Sequence, residues 1–210
     1  MILIIGNKRY SSWSLRPWVL MKHFGIAFEE KLIPLNDPDT HANIIKFSPS
    51  GKVPALIHND TTIWDSMAIA EHLNECFPEK QMWPKDAKAR ATARSVSNEM
   101  HSGFATLREH MPHDLTRVIP NFDWSPANAD IERIKAIWTG CLQTYRGPFL
   151  FGEYSIADAM FAPVANRFVT YGVPQEGVVA QYVKTLRALP EFLEWQKDAD
   201  AEKLRMPRYE

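Results

Sequence analysis

A proline at the entrance to a strand pattern is the feature that most restricts how this chain folds. Pro54 lies in the segment Gly51-Lys52-Val53-Pro54-Ala55-Leu56. A prolyl bond adopts the cis form at a cost of roughly 0.5–1 kcal/mol, against about 2.5–4 kcal/mol for other residues. A cis bond after Val53 would turn the N–H and C=O groups of Val53 away from the sheet, where an extended peptide could pair with them. The segment therefore predicts a binding edge for a short peptide.

The next motif along the chain would place polar side chains beside that edge. Asp65 and Ser66 follow Leu56 after nine residues and open an apolar helical pattern. The first N–H groups of a helix have no partner inside it, and together with the helix dipole they attract a carboxylate. The two motifs predict a site for a short acidic peptide that carries an amine at one end.

The hydrophobic patterns divide the chain into two parts. In the first part we expect strands at residues 2–5, 28–35, 54–58 and 61–64, and helices at 15–24, 42–47 and 66–76. Pro17 would lie in the first turn of the first helix, where its missing N–H has no partner to lose. Residues 77–84 are interpreted as a linker, and only helical patterns follow it, at residues 87–111, 129–145, 156–169, 178–189 and 191–198.

Three segments resemble the glutathione-site motifs of the cytosolic glutathione transferases: Tyr10-Ser11-Ser12-Trp13-Ser14-Leu15-Arg16, Lys52-Val53-Pro54-Ala55-Leu56 and Asp65-Ser66-Met67-Ala68-Ile69. The double serine most resembles the zeta class, which includes maleylacetoacetate isomerase. A fourth segment typical of the family is Ser155-Ile156-Ala157-Asp158, a capping box that we expect to be structural. The resemblance covers nearly the whole chain. It implies an α/β plus all-α fold, with a thioredoxin-like βαβαββα domain at residues 1–78 and an all-helical domain at residues 85–210.

Glutathione chemistry depends on ionising the thiol, because the thiolate is the nucleophile. A thiol with a pKa of about 8.5 is only a few per cent ionised at neutral pH, and lowering that pKa by ~2 units requires roughly 2.7 kcal/mol. A hydroxyl donor and a helix start could supply this. The zeta-class resemblance favours Ser11 as the donor, whereas counting back from Arg16 by the pattern of the theta and delta classes favours Ser12. Tyr10 ranks behind both, and Ser14 is expected to cap the helix.

The resemblance, together with charge, also assigns the remaining contacts of glutathione. Asp65 would bind the γ-glutamyl ammonium and Ser66 its carboxylate, while Val53, next to Pro54, would pair with the cysteinyl backbone. Lys52 and, with less support, His41 would meet the glycyl carboxylate.

The second substrate is expected to lie against the helical part of the chain. His101, Phe104 and Arg108 would share one face of the predicted helix at 87–111 and could line a pocket for a small hydrophobic or carboxylated electrophile. An equally good interpretation is a partly exposed helix with a packed phenylalanine. Gly103 inside this helix costs ~1 kcal/mol relative to alanine, which indicates a close approach. Trp13 stands where zeta-class proteins usually have cysteine, and its indole would narrow the pocket. The resemblance therefore supports isomerase activity less strongly than it supports glutathione binding.

Composition and charge exclude several other classes of function. The formal net charge of −1 gives no reason to expect a nucleic acid or a membrane as a partner. Cys76 and Cys141 lie far apart, and the sequence shows no local spacing of metal ligands, so it predicts no metal and a reducing compartment. Residues 1–6 are apolar over too short a stretch for a signal peptide, and we therefore expect a cytoplasmic protein.

Two hypotheses follow from these patterns. The first is a homodimeric, zeta-like glutathione transferase whose reaction could be conjugation, glutathione-dependent peroxide reduction or cis–trans isomerisation by thiol addition and elimination. The dimer is implied by the resemblance alone. The second is a non-catalytic module with the same fold, used to carry a ligand or to dock a partner.

Overall fold

A computed structural model describes residues 1–206 of the 210. The first part of the chain contains strands and helices in the order β1 α1 β2 α2 β3 β4 α3, which confirms the thioredoxin-like βαβαββα arrangement. Their bounds are β1 Ile2–Ile5, α1 Ser12–His23, β2 Glu29–Leu32, α2 Thr40–Ile45, β3 Ala55–His58, β4 Thr61–Ile63 and α3 Ser66–Cys76.

The four strands form one sheet in the order β2-β1-β3-β4. Strand β1 runs parallel to β2 and antiparallel to β3, and β3 pairs antiparallel with β4. Because side chains alternate along a strand, Leu3 and Ile5 pack into the large core with α1 and α3, whereas Ile4 packs on the other face with Ile44 of α2. Helices therefore cover both faces of the sheet.

Helix α1 begins earlier than the sequence predicts. Its N-cap is Ser11, whose Oγ accepts a hydrogen bond from the Ser14 N–H at 3.3 Å. An N-cap hydroxyl at this position satisfies one of the unpaired N–H groups of the first turn, so the helix starts at Ser12 and not at Leu15. Two predictions are therefore wrong: Pro17 lies inside the helix, beyond its first turn, and Ser14 is a helical residue and not the cap.

The second part of the chain is helical, as predicted, with bounds α4 Ala87–Ser102, α5 Ala105–His110, α6 Asn128–Tyr145, α7 Ile156–Thr170, α8 Gly177–Arg187 and α9 Pro190–Ala201. The predicted capping box is present at the start of α7, where the Ser155 N–H donates to Asp158 Oδ2 at 2.9 Å. The domain limits at residues 78 and 85 stay predictions. The last four residues of the predicted helical domain, 207–210, lie outside the described residues.

The helix predicted at residues 87–111 is in fact two helices, α4 and α5. Gly103 ends α4 in an extended conformation, and Phe104 follows with a left-handed φ of 55°. A Cβ atom on Gly103 would lie 2.7 Å from the carbonyl oxygen of Glu99, so the close approach comes from the helix itself. The proposed common helical face of His101, Phe104 and Arg108 was therefore wrong, because the chain changes direction between the first two of them.

The two parts of the chain are packed against each other through one continuous hydrophobic core, which includes residues from Leu3 to Ala199. Helix α1 packs along α7, and the Trp195 side chain of α9 donates from Nε1 to the carbonyl oxygen of Lys8 at 2.8 Å. Within residues 1–206, no helix is both long enough and apolar enough to cross a bilayer.

Candidate functional site

The edge formed by Val53 and Pro54 lies beside the sheet, as the sequence predicts. The Val53-Pro54 bond is cis. The β1–β3 ladder ends with the pair Ile4 and Ala55, so Val53 lies just outside it. Val53 is only partly buried, and it lines a cleft. An extended peptide laid along this edge could therefore pair with main-chain groups that the sheet leaves unused.

The start of α3 stands opposite this edge. Asp65 is the N-cap residue, and its Oδ1 accepts from the N–H groups of Met67 and Ala68 at 3.0 and 3.3 Å. Its other oxygen, Oδ2, lies 2.6 Å from Nε2 of His101. Ser66 is 1% exposed, and its Oγ has no hydrogen-bond partner among the described residues. A buried hydroxyl without a partner is costly, which makes Ser66 well suited to bind a polar ligand group.

Two adjoining clefts open at this place. The first, called the peptide cleft, has a volume of about 430 Å³ and is lined in part by Lys52, Val53, Pro54, Asp65, Ser66 and His101. The second, called the arginine cleft, has a volume of about 470 Å³ and is lined in part by Tyr10, Ser11, Ser12, Arg108, His113 and Arg167. Trp13, Lys52 and Val53 line both clefts, so a ligand on the Val53 edge could reach from one into the other.

The two candidate serines make different hydrogen bonds. Ser11 Oγ donates to Ser14 Oγ at 2.7 Å, and Ser14 Oγ also accepts from the Gly6 N–H at 3.1 Å. Ser12 Oγ accepts from Nη2 of Arg167 at 3.4 Å. A hydroxyl has one proton to donate. Within residues 1–206 the Ser12 hydroxyl accepts a hydrogen bond and donates none, so its proton can be given to a ligand, whereas the Ser11 proton is directed to Ser14.

A buried arginine lies behind Trp13. The side chain of Arg16 is 1% exposed, and its Nε donates to the carbonyl oxygen of Met160 at 3.0 Å. Its guanidinium carbon lies 3.9 Å from the centre of the Trp13 ring, and Arg108 lies 5.6 Å from the same ring. Neither Nη atom of Arg16 has a hydrogen-bond partner within the described part of the chain. Burial, followed by the charges of Arg167 and Arg108, lowers the pKa of Arg16 well below its ordinary value.

The histidine next to these arginines adds no positive charge to the cleft. His113 is 2% exposed and lines the arginine cleft. Burial lowers its pKa well below the ordinary value of histidine, and the charges of Arg167 and Arg16 lower it further. His113 is therefore neutral at physiological pH. The cleft therefore presents guanidinium groups beside a neutral imidazole, and the guanidinium groups favour an anionic ligand.

Trp13 lies where the two clefts meet, and His101 lines the peptide cleft beside it. Their rings are in edge contact, with centres 5.3 Å apart. His101 reaches the site from the last turn of α4, and it does so through Asp65 and Trp13 rather than through a face shared with Arg108. Phe104 is 8% exposed and belongs to the hydrophobic core, and it lines neither cleft. The structure thus brings His101, Arg108 and Trp13 together and leaves Phe104 out.

Lys52 and His41 lie at the other end of the peptide edge. Lys52 lines both clefts and is exposed. The ring of His41 lies over Gly51, at a distance of 2.6 Å between His41 Cε1 and the position of a Cβ on that glycine. Gly51 has a φ of 66°, so both its backbone and the adjacent ring require a residue without a side chain. His41 therefore lies against the residue that precedes Lys52, and its role stays a prediction.

Several residues of the site were not identified from the sequence. The sequence motif gives Arg16 no role of its own, and it predicts none for His113, Arg167 or Trp64, the last of which lines the peptide cleft. One signal was available: an arginine in the apolar segment Leu15-Arg16-Pro17-Trp18-Val19 is unusual for a helix that packs into a core. The approach of Arg167, more than 150 positions away, depends on the packing of α7 against α1.

A thioredoxin-like sheet with a cis-proline edge, joined to a helical part through a shared core, defines a protein of the glutathione-transferase type. A sequence profile for this type, described as glutathione S-transferase, N-terminal domain, matches residues 10–76. The matched segment contains the serines, the Val53 edge and the start of α3.

Curated relatives extend the similarity beyond that segment. The maleylacetoacetate isomerase of Rattus norvegicus is 30% identical over 168 residues, which cover 74% of this chain and 72% of the relative. A probable maleylacetoacetate isomerase of Caenorhabditis elegans is 26% identical, over 87% of this chain and 86% of the relative. For glutathione S-transferase L1 of Arabidopsis thaliana the identity is 24%, and the chain spans only 62% of that protein's length. The chain belongs to the glutathione S-transferase family, whose co-substrate is glutathione, and it is similar to the maleylacetoacetate isomerases.

Solved structures agree with this assignment. A glutathione transferase homologue from Burkholderia, crystallised with bound glutathione, superposes with a TM-score of 0.75 at 27% identity, over 96% of this chain and 98% of that chain. A bacterial maleylpyruvate isomerase, described as a zeta-class glutathione S-transferase, superposes with a TM-score of 0.73 over 97% of this chain and 100% of that chain. Its identity is 20%, so this second comparison supports the fold alone.

Proposed function

We propose that this protein is a zeta-like glutathione transferase that adds the thiolate of glutathione to a small electrophile bearing a carboxylate. The observation that carries the proposal is the junction of the two clefts at Trp13 and Val53. A tripeptide on the Val53 edge would hold its cysteine at this junction, next to Ser12 and the arginines of the arginine cleft.

The glutathione contacts follow from the groups that the peptide cleft leaves available. The unpartnered Ser66 Oγ, at the positive end of the α3 dipole, suits the γ-glutamyl carboxylate. Asp65 suits the γ-glutamyl ammonium, which would share the carboxylate with His101. We propose that Val53 pairs with the cysteinyl backbone and that Lys52, with His41, meets the glycyl carboxylate.

Ser12 is the better candidate for the thiolate donor. Its proton is available, whereas that of Ser11 is directed to Ser14. A hydrogen bond to a charged group contributes ~1.5–3 kcal/mol, which corresponds to about 1–2 units of thiol pKa. The positive charges of Arg16 and Arg167 act in the same direction, because they favour an anion nearby. In this arrangement Ser11 positions the loop as the N-cap of α1.

The electrophile is proposed to bind in the arginine cleft. Arg108 and Arg167 line this cleft, and guanidinium groups recognise carboxylates through paired N–H donors. His113 is neutral there, so it adds no charge of its own and can pack against a flat substrate. When the thiolate attacks an alkene conjugated to the carboxylate, a C–S bond forms and the π electron pair moves onto the carboxylate. Rotation about the resulting single bond, followed by return of that pair and departure of the thiolate, gives cis–trans isomerisation.

Two substitutions with a matched control test the donor assignment. We expect Ser12→Ala to raise the pKa of enzyme-bound glutathione by about 1–2 units, measured from the ultraviolet absorbance of the thiolate across a pH series. Ser11→Ala should raise it less. The control is Ser95→Ala, an exposed serine of α4 whose Oγ donates to the Ala91 carbonyl. A larger effect of Ser11→Ala would reverse the assignment, and no effect of either would exclude both serines.

A glutathione-dependent isomerase is the second candidate function, favoured by the similarity to the rat maleylacetoacetate isomerase. The two candidates differ in products: a transferase releases a glutathione conjugate, whereas an isomerase returns glutathione unchanged. A panel containing a cis-configured dicarboxylate, an activated aryl halide and an organic hydroperoxide separates them. Binding to immobilised glutathione without turnover of any of these would instead favour a non-catalytic module.

Three further assignments are part of the proposal and rest on the family. They are a homodimeric assembly, a cytoplasmic location and a role in detoxification. Light scattering of the purified chain tests the first, because a dimer has twice the mass of 24.1 kDa calculated for one chain.

A further inference from the structure

A cluster of three potential metal ligands lies outside both clefts. His58 is the last residue of β3, and His72 and Cys76 are one turn apart on α3. His58 Nδ1 lies 2.9 Å from His72 Nε2, and Cys76 Sγ lies 3.5 Å from His72 Nε2 and 3.8 Å from His58 Nδ1. Within residues 1–206 it is the one group of three or more histidine, cysteine or acidic side chains close enough to hold an ion.

These separations are close to those that one metal ion requires. Zinc binds imidazole nitrogen at about 2.0–2.1 Å and thiolate sulfur at about 2.3 Å, in tetrahedral geometry. Ligand atoms at those distances lie about 3.3 Å apart for two nitrogens and about 3.6 Å apart for a nitrogen and a sulfur. The three observed distances differ from these values by about half an ångström or less. Small side-chain rotations would therefore place all three atoms around one ion.

The surroundings of the cluster also suit an ion that arrives from solvent. Both imidazoles are half-buried and Cys76 is exposed, so the site is held by packed elements and is open on one side. His72 and Cys76 have the i, i+4 spacing that places two ligands on one face of a helix. Three protein ligands leave one position for water. Local spacing in the sequence does not reveal these three ligands, because His58 lies on β3 and the other two lie on α3, which begins after the β3–β4 hairpin.

We propose that His58, His72 and Cys76 form a binding site for a borderline-soft divalent cation of the zinc type. Imidazole and thiolate ligands favour zinc and cobalt, whereas magnesium and calcium prefer oxygen ligands. On binding, the Cys76 thiol releases its proton to solvent. The proton shared between His58 Nδ1 and His72 Nε2 is lost from that hydrogen bond and is carried on an outer ring nitrogen, so both facing nitrogens donate electron pairs to the metal.

The site is separate from the proposed glutathione contacts. Cys76 lies ten residues after Ser66 on the same helix, which corresponds to about 15 Å along the axis. A bound ion would join the end of α3 to β3, so we expect it to raise the melting temperature of the protein. The metal site and the glutathione site can therefore be tested separately, and a negative result for one does not decide the other.

Titration of the metal-free, full-length protein with Co²⁺ and Zn²⁺ tests the proposal. We expect one Co²⁺ per chain, a thiolate-to-cobalt charge-transfer band in the near ultraviolet, and its displacement by Zn²⁺. His72→Ala and Cys76→Ser should weaken the affinity at least about tenfold. The matched controls are His110→Ala and Cys141→Ser, which alter the same residue types elsewhere and should leave the affinity unchanged.

A second measurement needs no substitution. Zn²⁺ should slow alkylation of Cys76 in the unaltered protein, and a chelator should restore it, with the labelled cysteine identified by mass spectrometry. Cys141 is the internal reference, since burial raises the pKa of its thiol to about 11 and keeps it unreactive with or without metal. Equal alkylation of Cys76 with and without Zn²⁺ would overturn the proposal, as would a Cys76→Ser protein that binds Co²⁺ as tightly as the unaltered one.

Discussion

Replacement of Arg16 by methionine should raise the unfolding free energy of the protein and weaken the binding of anionic groups at its site. Methionine fills a similar elongated space without a charge. In the folded protein the two Nη atoms of Arg16 are buried without hydrogen-bond partners among the described residues. Each unsatisfied buried group costs about 1–3 kcal/mol, so their removal should stabilise the fold by roughly 4 kcal/mol.

The substitution also removes favourable contacts. The hydrogen bond from Nε to the Met160 carbonyl contributes about 2 kcal/mol, and the contact of the guanidinium with the Trp13 ring contributes about 1 kcal/mol. The expected net gain for Arg16→Met is therefore about 1 kcal/mol of unfolding free energy. For a chain of this length that corresponds to a rise of about 2–4 °C in melting temperature.

The same charge contributes to function if the proposed site is right. Loss of the Arg16 charge should raise the pKa of bound glutathione by up to about 1 unit, because a nearby cation favours the thiolate. It should also raise KM for a carboxylated electrophile more than for a neutral aryl halide. Stability and activity would then change in opposite directions, as expected for a charge that is retained for function.

Equilibrium unfolding in urea, followed by circular dichroism, measures the first effect. The control is Arg133→Met, which removes an exposed ion pair whose Nε–Oε1 distance to Glu99 is 2.7 Å, and it should cost less than about 1 kcal/mol. If Arg16→Met lowers the unfolding free energy by more than 1 kcal/mol relative to the unaltered protein, the premise that the buried Nη atoms lack compensating interactions is refuted.

The fold was predictable because the relevant signals are local. A short apolar run predicts β1, Asn59-Asp60 predicts the hairpin between β3 and β4, and Asp65 with Ser66 predicts the start of α3. Each pattern extends over fewer than a dozen residues, so its structural consequence does not depend on distant packing. The cis bond before Pro54 belongs to the same class, because it is a property of one residue pair in a strand context.

The departures from prediction have a different origin. The break between α4 and α5 depends on the backbone of Gly103 and Phe104, and periodicity alone does not separate a broken helix from a continuous one. The arginine cleft combines side chains from α1, α5 and α7, and the metal-ligand cluster combines a strand with a helix. Such combinations are set by tertiary packing, so their members were visible in the sequence while their proximity was not.

Three further predictions test particular residues. Gly103→Ala should lower the unfolding free energy by about 1–3 kcal/mol in urea, because the new Cβ would lie 2.7 Å from the Glu99 carbonyl oxygen; a change below about 0.5 kcal/mol would contradict this. Trp13→Cys should raise the rate of isomerisation of a cis dicarboxylate, because the indole is a wall of both clefts; an unchanged rate with intact glutathione binding would show that the indole is not the limit. Asp158→Asn should change how stability depends on pH. Burial raises the pKa of Asp158 to about 6 in the folded protein, against 3.8 as its ordinary value. The folded state therefore keeps a proton that the unfolded state releases, and the stability contributed by this group falls as pH rises from about 4 to 6, by about 3 kcal/mol in total. The unfolding free energy of the unaltered protein minus that of Asp158→Asn should decline by this amount across the window, and a difference that stays constant with pH would show that the buried carboxyl group does not titrate there.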